Sequence, residues 1–243
     1  MKQQFFEIIS NNKLTSDVYC LELKGDTGFL TAPGQFVNIK IDGQFLRRPI
    51  SVCNTENDVL TLIYKVVGVG TEKLAEYKKG KMLDVLTGLG NGFDTSFSGE
   101  NPLLIGGGVG IPPMYKLARE LKKQGKHVTV ILGFNKSSEI FYYEEFKAVA
   151  DDVIVCTVDG SFGVKGFVTD AMKNVNYSYF YTCGPMPMFK AIENVAVTSG
   201  QYSFEERMGC GFGACMGCSC KTKYKNKRIC IDGPVLFREE IVW

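Results

Sequence analysis

The sequence predicts a multidomain β and α/β chain: an antiparallel β unit over residues 1–99, a parallel α/β unit over 100–203, and a small cysteine-rich segment over 204–243. Three observations predict it. Residues 1–98 carry short strand-like runs separated by glycine and polar turns. From residue 102 onward, apolar runs alternate with stretches of helical period. Cys210, Cys215, Cys218, Cys220 and Cys230 all crowd into the C-terminal segment.

The β unit shows strand runs at 18–23, 35–41, 50–53 and 59–67, with turn signals at Gly25, Gly28, Pro33-Gly34, Asp42-Gly43 and Gly80. Many short strands with turns between them make an antiparallel barrel or sandwich. One helical stretch, 70–79, interrupts them. In the α/β unit, Leu103-Leu104-Ile105 reads as a buried strand and a glycine loop follows. Residues 113–124 then place Met114, Leu117, Ala118 and Leu121 at helical spacing. Further strands are expected at 128–132, 153–157 and 179–182. Further helices are expected at 144–150, 168–172 and 186–198. Such alternation means a parallel sheet with helices on both faces. The last segment shows little regular period.

Composition narrows the function classes. The chain has 243 residues with a net charge of +2, so no polyanion is sought and no nucleic-acid partner is expected. No run approaches the roughly 18 apolar residues of a membrane helix, so no membrane association is expected. The first residues lack the apolar core of a secretory signal, and a cytoplasmic location is expected. In a reducing compartment Cys20, Cys53, Cys156 and Cys183 read as buried small hydrophobes.

The clustered cysteines read differently. Cys210, Cys215 and Cys218 follow C-x4-C-x2-C, and Cys230 follows after eleven intervening residues. This is the plant-type spacing of a [2Fe–2S] centre. Gly209, Gly211, Gly213 and Gly217 let the loop wrap a small inorganic core closely. A structural zinc site is the competing reading, but zinc sites usually pair two short cysteine units. Cys220 breaks the rhythm and reads as a neighbour rather than a ligand.

Three further signals concern nucleotides. Arg47-Arg48-Pro49-Ile50-Ser51 sets a cation, a rigid turn and a hydroxyl at a strand start, where arginine can pair with a pyrophosphate. Ile63-Tyr64-Lys65 follows on another strand, and Gly68-Val69-Gly70-Thr71 opens the helix as a phosphate cradle. In that order they suit a flavin dinucleotide. Gly106-Gly107-Gly108-Val109-Gly110-Ile111-Pro112-Pro113 follows a buried strand and opens a helix, as a dinucleotide loop does. It departs from G-x-G-x-x-G, because Ile111 stands at the third glycine. No acidic residue ends the next strand, so NAD and NADP are not distinguished, and Lys136 and Ser137 are placed to face a 2′-phosphate. Thr182-Cys183-Gly184-Pro185-Met186 lies at a carboxyl strand edge, where such sheets bind ligands.

In this order the motifs resemble the ferredoxin–NADP reductase superfamily over essentially the whole chain. The C-terminal cysteine run narrows the resemblance to the electron-transfer subunits of NAD-dependent (class B) dihydroorotate dehydrogenases. The resemblance implies a flavin-binding β-barrel, a nicotinamide-binding α/β domain and a [2Fe–2S] segment. It implies that Arg48, Pro49, Ile50, Ser51, Ile63, Tyr64, Lys65, Gly70 and Thr71 hold FAD. Gly107, Gly108, Gly110, Cys183, Gly184 and Pro185 would take NAD+/NADH as substrate, and Cys210, Cys215, Cys218 and Cys230 would ligate the cluster. Lys65 stands where the family leads one to expect arginine, and the gap before Cys230 is short.

No nucleophile–base pair or carboxylate dyad stands out, and the single histidine, His127, reads as structural. No catalytic residue for an organic substrate is therefore expected on this chain. The resemblance implies an FMN-containing catalytic subunit as partner, in a heterotetramer of two of each, oxidising dihydroorotate and passing electrons through [2Fe–2S] and FAD to NAD+ in pyrimidine biosynthesis. Two rivals stay open: the small subunit of another NAD(P)H oxidoreductase linked to ferredoxin or sulfur compounds, and a zinc-bearing interaction module without redox chemistry.

Overall fold

The computed structural model describes all 243 residues. Six strands close into an antiparallel barrel: β1 (Lys2–Lys13), β2 (Val18–Lys24), β3 (Phe36–Ile39), β4 (Arg48–Glu56), β5 (Val59–Lys65) and β6 (Met82–Leu89), in the order β1-β2-β5-β4-β3-β6. Helix α1 (Val69–Glu76) bridges β5 and β6. It ends earlier than the expected 79.

Sequence reading lacked the two closing strands, β1 and β6. In β1, Gln4, Phe6 and Ile8 point inward while their neighbours face out. Only one face is apolar, so no continuous apolar run marks the strand. Phe6, Ile8, Leu21, Leu23, Val37, Ile39, Leu60, Leu62 and Val85 fill the barrel. Full burial of a side chain of this size is worth roughly 1.5–3 kcal/mol.

The second unit is a seven-stranded sheet. Its strands are β7 (Pro102–Gly107), β8 (Thr129–Phe134), β9 (Asp152–Thr157), β10 (Val164–Lys165), β11 (Tyr179–Cys183), β12 (Gly200–Ser203) and β15 (Val235–Phe237), in the order β10-β9-β8-β7-β11-β12-β15. Helices α2 (Pro112–Lys123), α3 (Tyr143–Lys147), α4 (Val168–Met172) and α5 (Met186–Val195) connect them. Helix α2 begins with two prolines, whose fixed φ suits a first helical turn. It buries Met114, Leu117, Ala118 and Leu121 on one face, as their spacing predicts.

All pairings in this sheet are parallel except β12–β15. The antiparallel edge strand comes from the C-terminal segment, so that segment is built into the sheet. It also contains a hairpin, β13 (Ser219–Lys221) and β14 (Asn226–Arg228), and the short helix α6 (Ile229–Asp232).

Outer faces of the barrel are buried against both later segments. Val18, Cys53 and Ile63 join the core of α2, β7 and β8, while Phe36, Leu86 and Leu89 join one that contains Cys218, Ile229, Cys230 and Leu236. Polar clamps cross the same seams. Lys116 Nζ donates to the Leu30 carbonyl at 2.5 Å and to Thr55 Oγ1 at 3.0 Å. Arg119 reaches Asn54 and Glu56, and the Asn91 side chain bonds Val235 through both its backbone groups.

Candidate functional site

Three places gather the residues singled out by sequence: the outer face of β3–β4 with the start of α1, a cavity beside the second sheet, and the cysteine loop.

On β4, Ile50 points into the barrel, whereas Pro49 and Ser51 lie on the outer face. Antiparallel register sets Pro49 opposite Asn38 and Ser51 opposite Phe36. The Arg48 guanidinium donates to the Leu46 carbonyl at 2.6 Å and to Gln44 Oε1 at 2.9 Å. It lies directly against Gly70, where any Cβ would collide with it. A cation is thus laid on the first turn of α1, and the missing side chain at position 70 permits that approach. Thr71 Oγ1 accepts from the backbone N–H of Val67 at 2.9 Å and donates to the Gly68 carbonyl at 2.9 Å. Its hydroxyl therefore shapes the turn. Arg48, Gly70 and Thr71 are brought together, and a cation beside a helix N-terminus fits an anionic pyrophosphate.

The three β5 residues separate. Ile63 faces the α/β unit. Tyr64 turns into the barrel, stacked on Tyr19 at 5.8 Å with its hydroxyl donating to Asn11 Oδ1 at 3.1 Å. Lys65 pairs with Asp17 at 3.0 Å and lines the cavity instead.

That cavity has a volume of about 580 Å³ and opens at the carboxyl ends of β7, β8 and β11. Gly107, Gly108, Gly110, Gly184 and Pro185 all line it. Gly110 packs on the Cys183 carbonyl so closely that a Cβ would collide with the backbone. Cys183 itself is fully buried in the core, and burial pushes its thiol far up. Position 183 contributes its backbone, against which the cavity-lining Gly110 packs.

Three acids in the cavity wall were not found by sequence reading: Asp17, paired with Lys65, and Glu139 and Glu205. Glu139 lies five positions after β8 and accepts from Asn135 Nδ2 at 3.0 Å. Glu205 follows β12, a strand that the apolar pattern did not reveal. Crowding by protein pushes the Glu205 carboxyl up although one edge is open to solvent. The signal for Glu139 was present, but only to a reader expecting the acid on the loop rather than at the strand end.

The cysteine loop places its sulfurs in two pairs. Cys210 Sγ accepts from the N–H of Ala214 at 3.2 Å and of Cys215 at 3.4 Å, and Cys215 Sγ accepts from Cys210 N–H at 3.5 Å. Cys218 Sγ accepts from Cys230 N–H at 3.4 Å. Burial would raise the Cys210 thiol, but the N–H groups of Cys215, Phe212 and Ala214 bring it down to about 6. Burial first, then the neighbouring Cys218, pushes Cys230 up to about 12, and Cys210 adds to the rise. Cysteine sulfurs in pairs, with backbone N–H groups aimed at them, fit a two-iron core. Cys220 lies on β13 opposite Lys227, packed against the neighbouring apolar core, and burial pushes its thiol up.

The barrel face and the loop meet at Asn38, whose Nδ2 donates to the Cys210 carbonyl at 3.1 Å. No helix is long and apolar enough to cross a membrane.

Comparison with known proteins bears on each part. A family described as the iron-sulfur cluster binding domain of dihydroorotate dehydrogenase B matches residues 205–242, and an oxidoreductase NAD-binding domain matches 104–194. The chain is 43% identical to the dihydroorotate dehydrogenase B (NAD(+)) electron transfer subunit of Fusobacterium nucleatum, over 99% of both chains. It is 42% identical to the protein of the same description from Bacillus pumilus, over 99% of this chain and 98% of that one. Among solved structures, a chain of the NADH-dependent reduced ferredoxin-NADP oxidoreductase superposes with a TM-score of 0.89 at 31% identity, covering 98% of this chain and 90% of that one. A ferredoxin NADP+ reductase from Neisseria gonorrhoeae with bound FAD and NADP superposes at 0.71 and 16% identity, covering 84% and 100%. That last likeness concerns the fold.

Proposed function

The chain belongs to the family of dihydroorotate dehydrogenase B electron transfer subunits, and on that premise we propose that it carries electrons from a catalytic partner's FMN through [2Fe–2S] and FAD to NAD+, in pyrimidine biosynthesis. When bound, the flavin exchanges a hydride with the nicotinamide and single electrons with the iron–sulfur centre.

The observation that carries the reading is the hydrogen bond that ties the Pro49/Ser51 face to the cysteine loop, from Asn38 to the Cys210 carbonyl. The cavity lies beside the same barrel, with Lys65 in its wall.

In this reading residues 1–99 take FAD, 100–203 take NAD and 204–243 take the cluster. Arg48 and the start of α1 hold the flavin pyrophosphate, and Pro49, Ile50 and Ser51 form the strand beside its ring. Ile63 supports that strand from the seam with the α/β unit and Tyr64 from within the barrel. Gly107, Gly108 and Gly110 let the NAD pyrophosphate approach α2, while Gly184, Pro185 and the Cys183 backbone wall the nicotinamide end. Glu139 accepts from ribose hydroxyls and repels a 2′-phosphate, which favours NAD over NADP. Cys210, Cys215, Cys218 and Cys230 hold the irons.

The partner is an FMN-containing dihydroorotate dehydrogenase catalytic subunit, in a heterotetramer of two of each, working in the cytoplasm. Its docking face is the cluster end. Phe212 and Met216, 42% and 57% exposed, are apolar groups left open beside the ligands. Full-length identity above 40% to chains of this description supports the reading over a ferredoxin-linked subunit.

The test is analysis of the purified chain for iron, sulfide and flavin, followed by mixing with NADH and then with dihydroorotate. NADH should bleach the flavin and drive dye reduction, and dihydroorotate should do neither. Dihydroorotate oxidation by the lone chain would defeat the proposal.

A further inference from the structure

One buried polar side chain joins the barrel to the cluster loop, and neither the cysteine spacing nor the strand motif assigns it. Asn38 on β3 is only 1% exposed. Its Nδ2 donates to the Cys210 carbonyl at 3.1 Å, and its Oδ1 is buried with no partner. The barrel fixes it from behind. Arg47 Nη1 donates to the Asn38 carbonyl at 3.3 Å, and Arg47 Nη2 is held by both carboxylate oxygens of Asp84, at 2.9 and 3.0 Å.

The loop is shaped to receive it. Gly211 has φ +75°, and an added Cβ would run into Asn38 Nδ2. Packing alone does not account for asparagine at this position. A half-satisfied buried amide is unfavourable, and an apolar residue of the same size would fill the space without the orphan oxygen. What asparagine adds is the donor to the peptide carbonyl of a cluster ligand.

We propose that Asn38 is a positioning residue for the iron–sulfur centre. It fixes the Cys210 end of the loop on the barrel's outer face. By drawing electron density from the Cys210–Gly211 peptide it favours the more negative, reduced state of the centre. The inference rests on the reading above, in which the four cysteines hold [2Fe–2S] and the β3–β4 face holds FAD. Hydrogen bonding around a cluster is one of the terms that sets its potential.

The test is Asn38→Leu in the full chain loaded with FAD and cluster. Iron and flavin content are measured first, then the EPR spectrum of the reduced cluster and the midpoint potentials of both centres. The variant should retain parental iron and flavin. Its cluster should become harder to reduce by roughly tenfold in the oxidised–reduced equilibrium, which for one electron is about 59 mV. Its EPR g-values should shift, while the flavin midpoint should not move. If Asn38→Leu does not fold, Gly211→Ala displaces the same amide from the loop side and should shift the spectrum and midpoint in the same sense. Parental EPR and midpoint in a cofactor-replete variant would overturn the inference alone. A parent chain that takes up no cluster would overturn the inference together with the reading beneath it.

Discussion

Alanine at position 70 isolates the contact between Arg48 and helix α1. A Cβ there would lie 2.5 Å from Arg48 Cζ and Nη2. The Gly70 backbone is not left-handed, so alanine fits without strain. Inside a helix it should even add roughly 0.5–1 kcal/mol of stability. The atom that must give way is the tip of a flexible side chain, so the fold survives and Arg48 swings off the helix. A charge-assisted hydrogen bond is worth roughly 1.5–3 kcal/mol, which is about a ten- to hundredfold loss in FAD affinity. Arg48→Ala should cost the same, and Gly70→Ala added to Arg48→Ala should cost little more, because both remove one contact. Calorimetric titration of flavin-free chain with FAD reads all four forms, with thermal unfolding as the control for folding. Parental affinity in Gly70→Ala, or full additivity in the double variant, would refute the reasoning.

Serine at Cys210, Cys215, Cys218 or Cys230 should abolish or halve the iron content, whereas Cys220→Ser should leave iron and the reduced EPR signal as in the parent. Gly110→Ala should leave FAD bound but raise the NADH concentration needed to bleach it by an order of magnitude or more, because the new Cβ meets the Cys183 backbone and the loop must shift. Lys116 gives a pH signature. Burial pushes its pKa from the ordinary 10.5 down to about 8. Between these values the unfolded chain binds more protons than the folded one, so stability from this group rises with pH across that window. Urea unfolding of parent and Lys116→Met should show the parent gaining on the variant from about pH 8 to 10.5. A constant difference would contradict that.

What the sequence made legible depended on how many signals each feature carried. Helix α2 was readable because period, prolines and a following loop agree over twelve residues. The buried parallel strands were readable as continuous apolar runs. Strands β1 and β6 were not, since barrel strands with one wet face mix polar and apolar residues. Strand β15 was hidden because three residues give no period, and its place in the sheet is fixed by partners far away in sequence. The four-cysteine spacing marked the loop, in which Cys210 lies against Cys215 and Cys218 against Cys230. Side-chain direction was the part that spacing could not supply. Tyr64 and Cys183 stand in the expected places but face inward. Glu139, Glu205 and Asn38 come to the site from segments with no motif of their own.

The division of labour is tested most directly by NADH formation from dihydroorotate in the assembled complex. The chain, loaded with FAD and cluster, is mixed with its FMN-containing catalytic subunit, and absorbance of NADH is followed after adding dihydroorotate and NAD+. NADH should form only when both subunits are present, and Cys230→Ser should stop it while the lone chain still reduces dyes with NADH. NADH formation at the parental rate with the Cys230→Ser chain would contradict the account, because electrons would then reach NAD+ without the cluster.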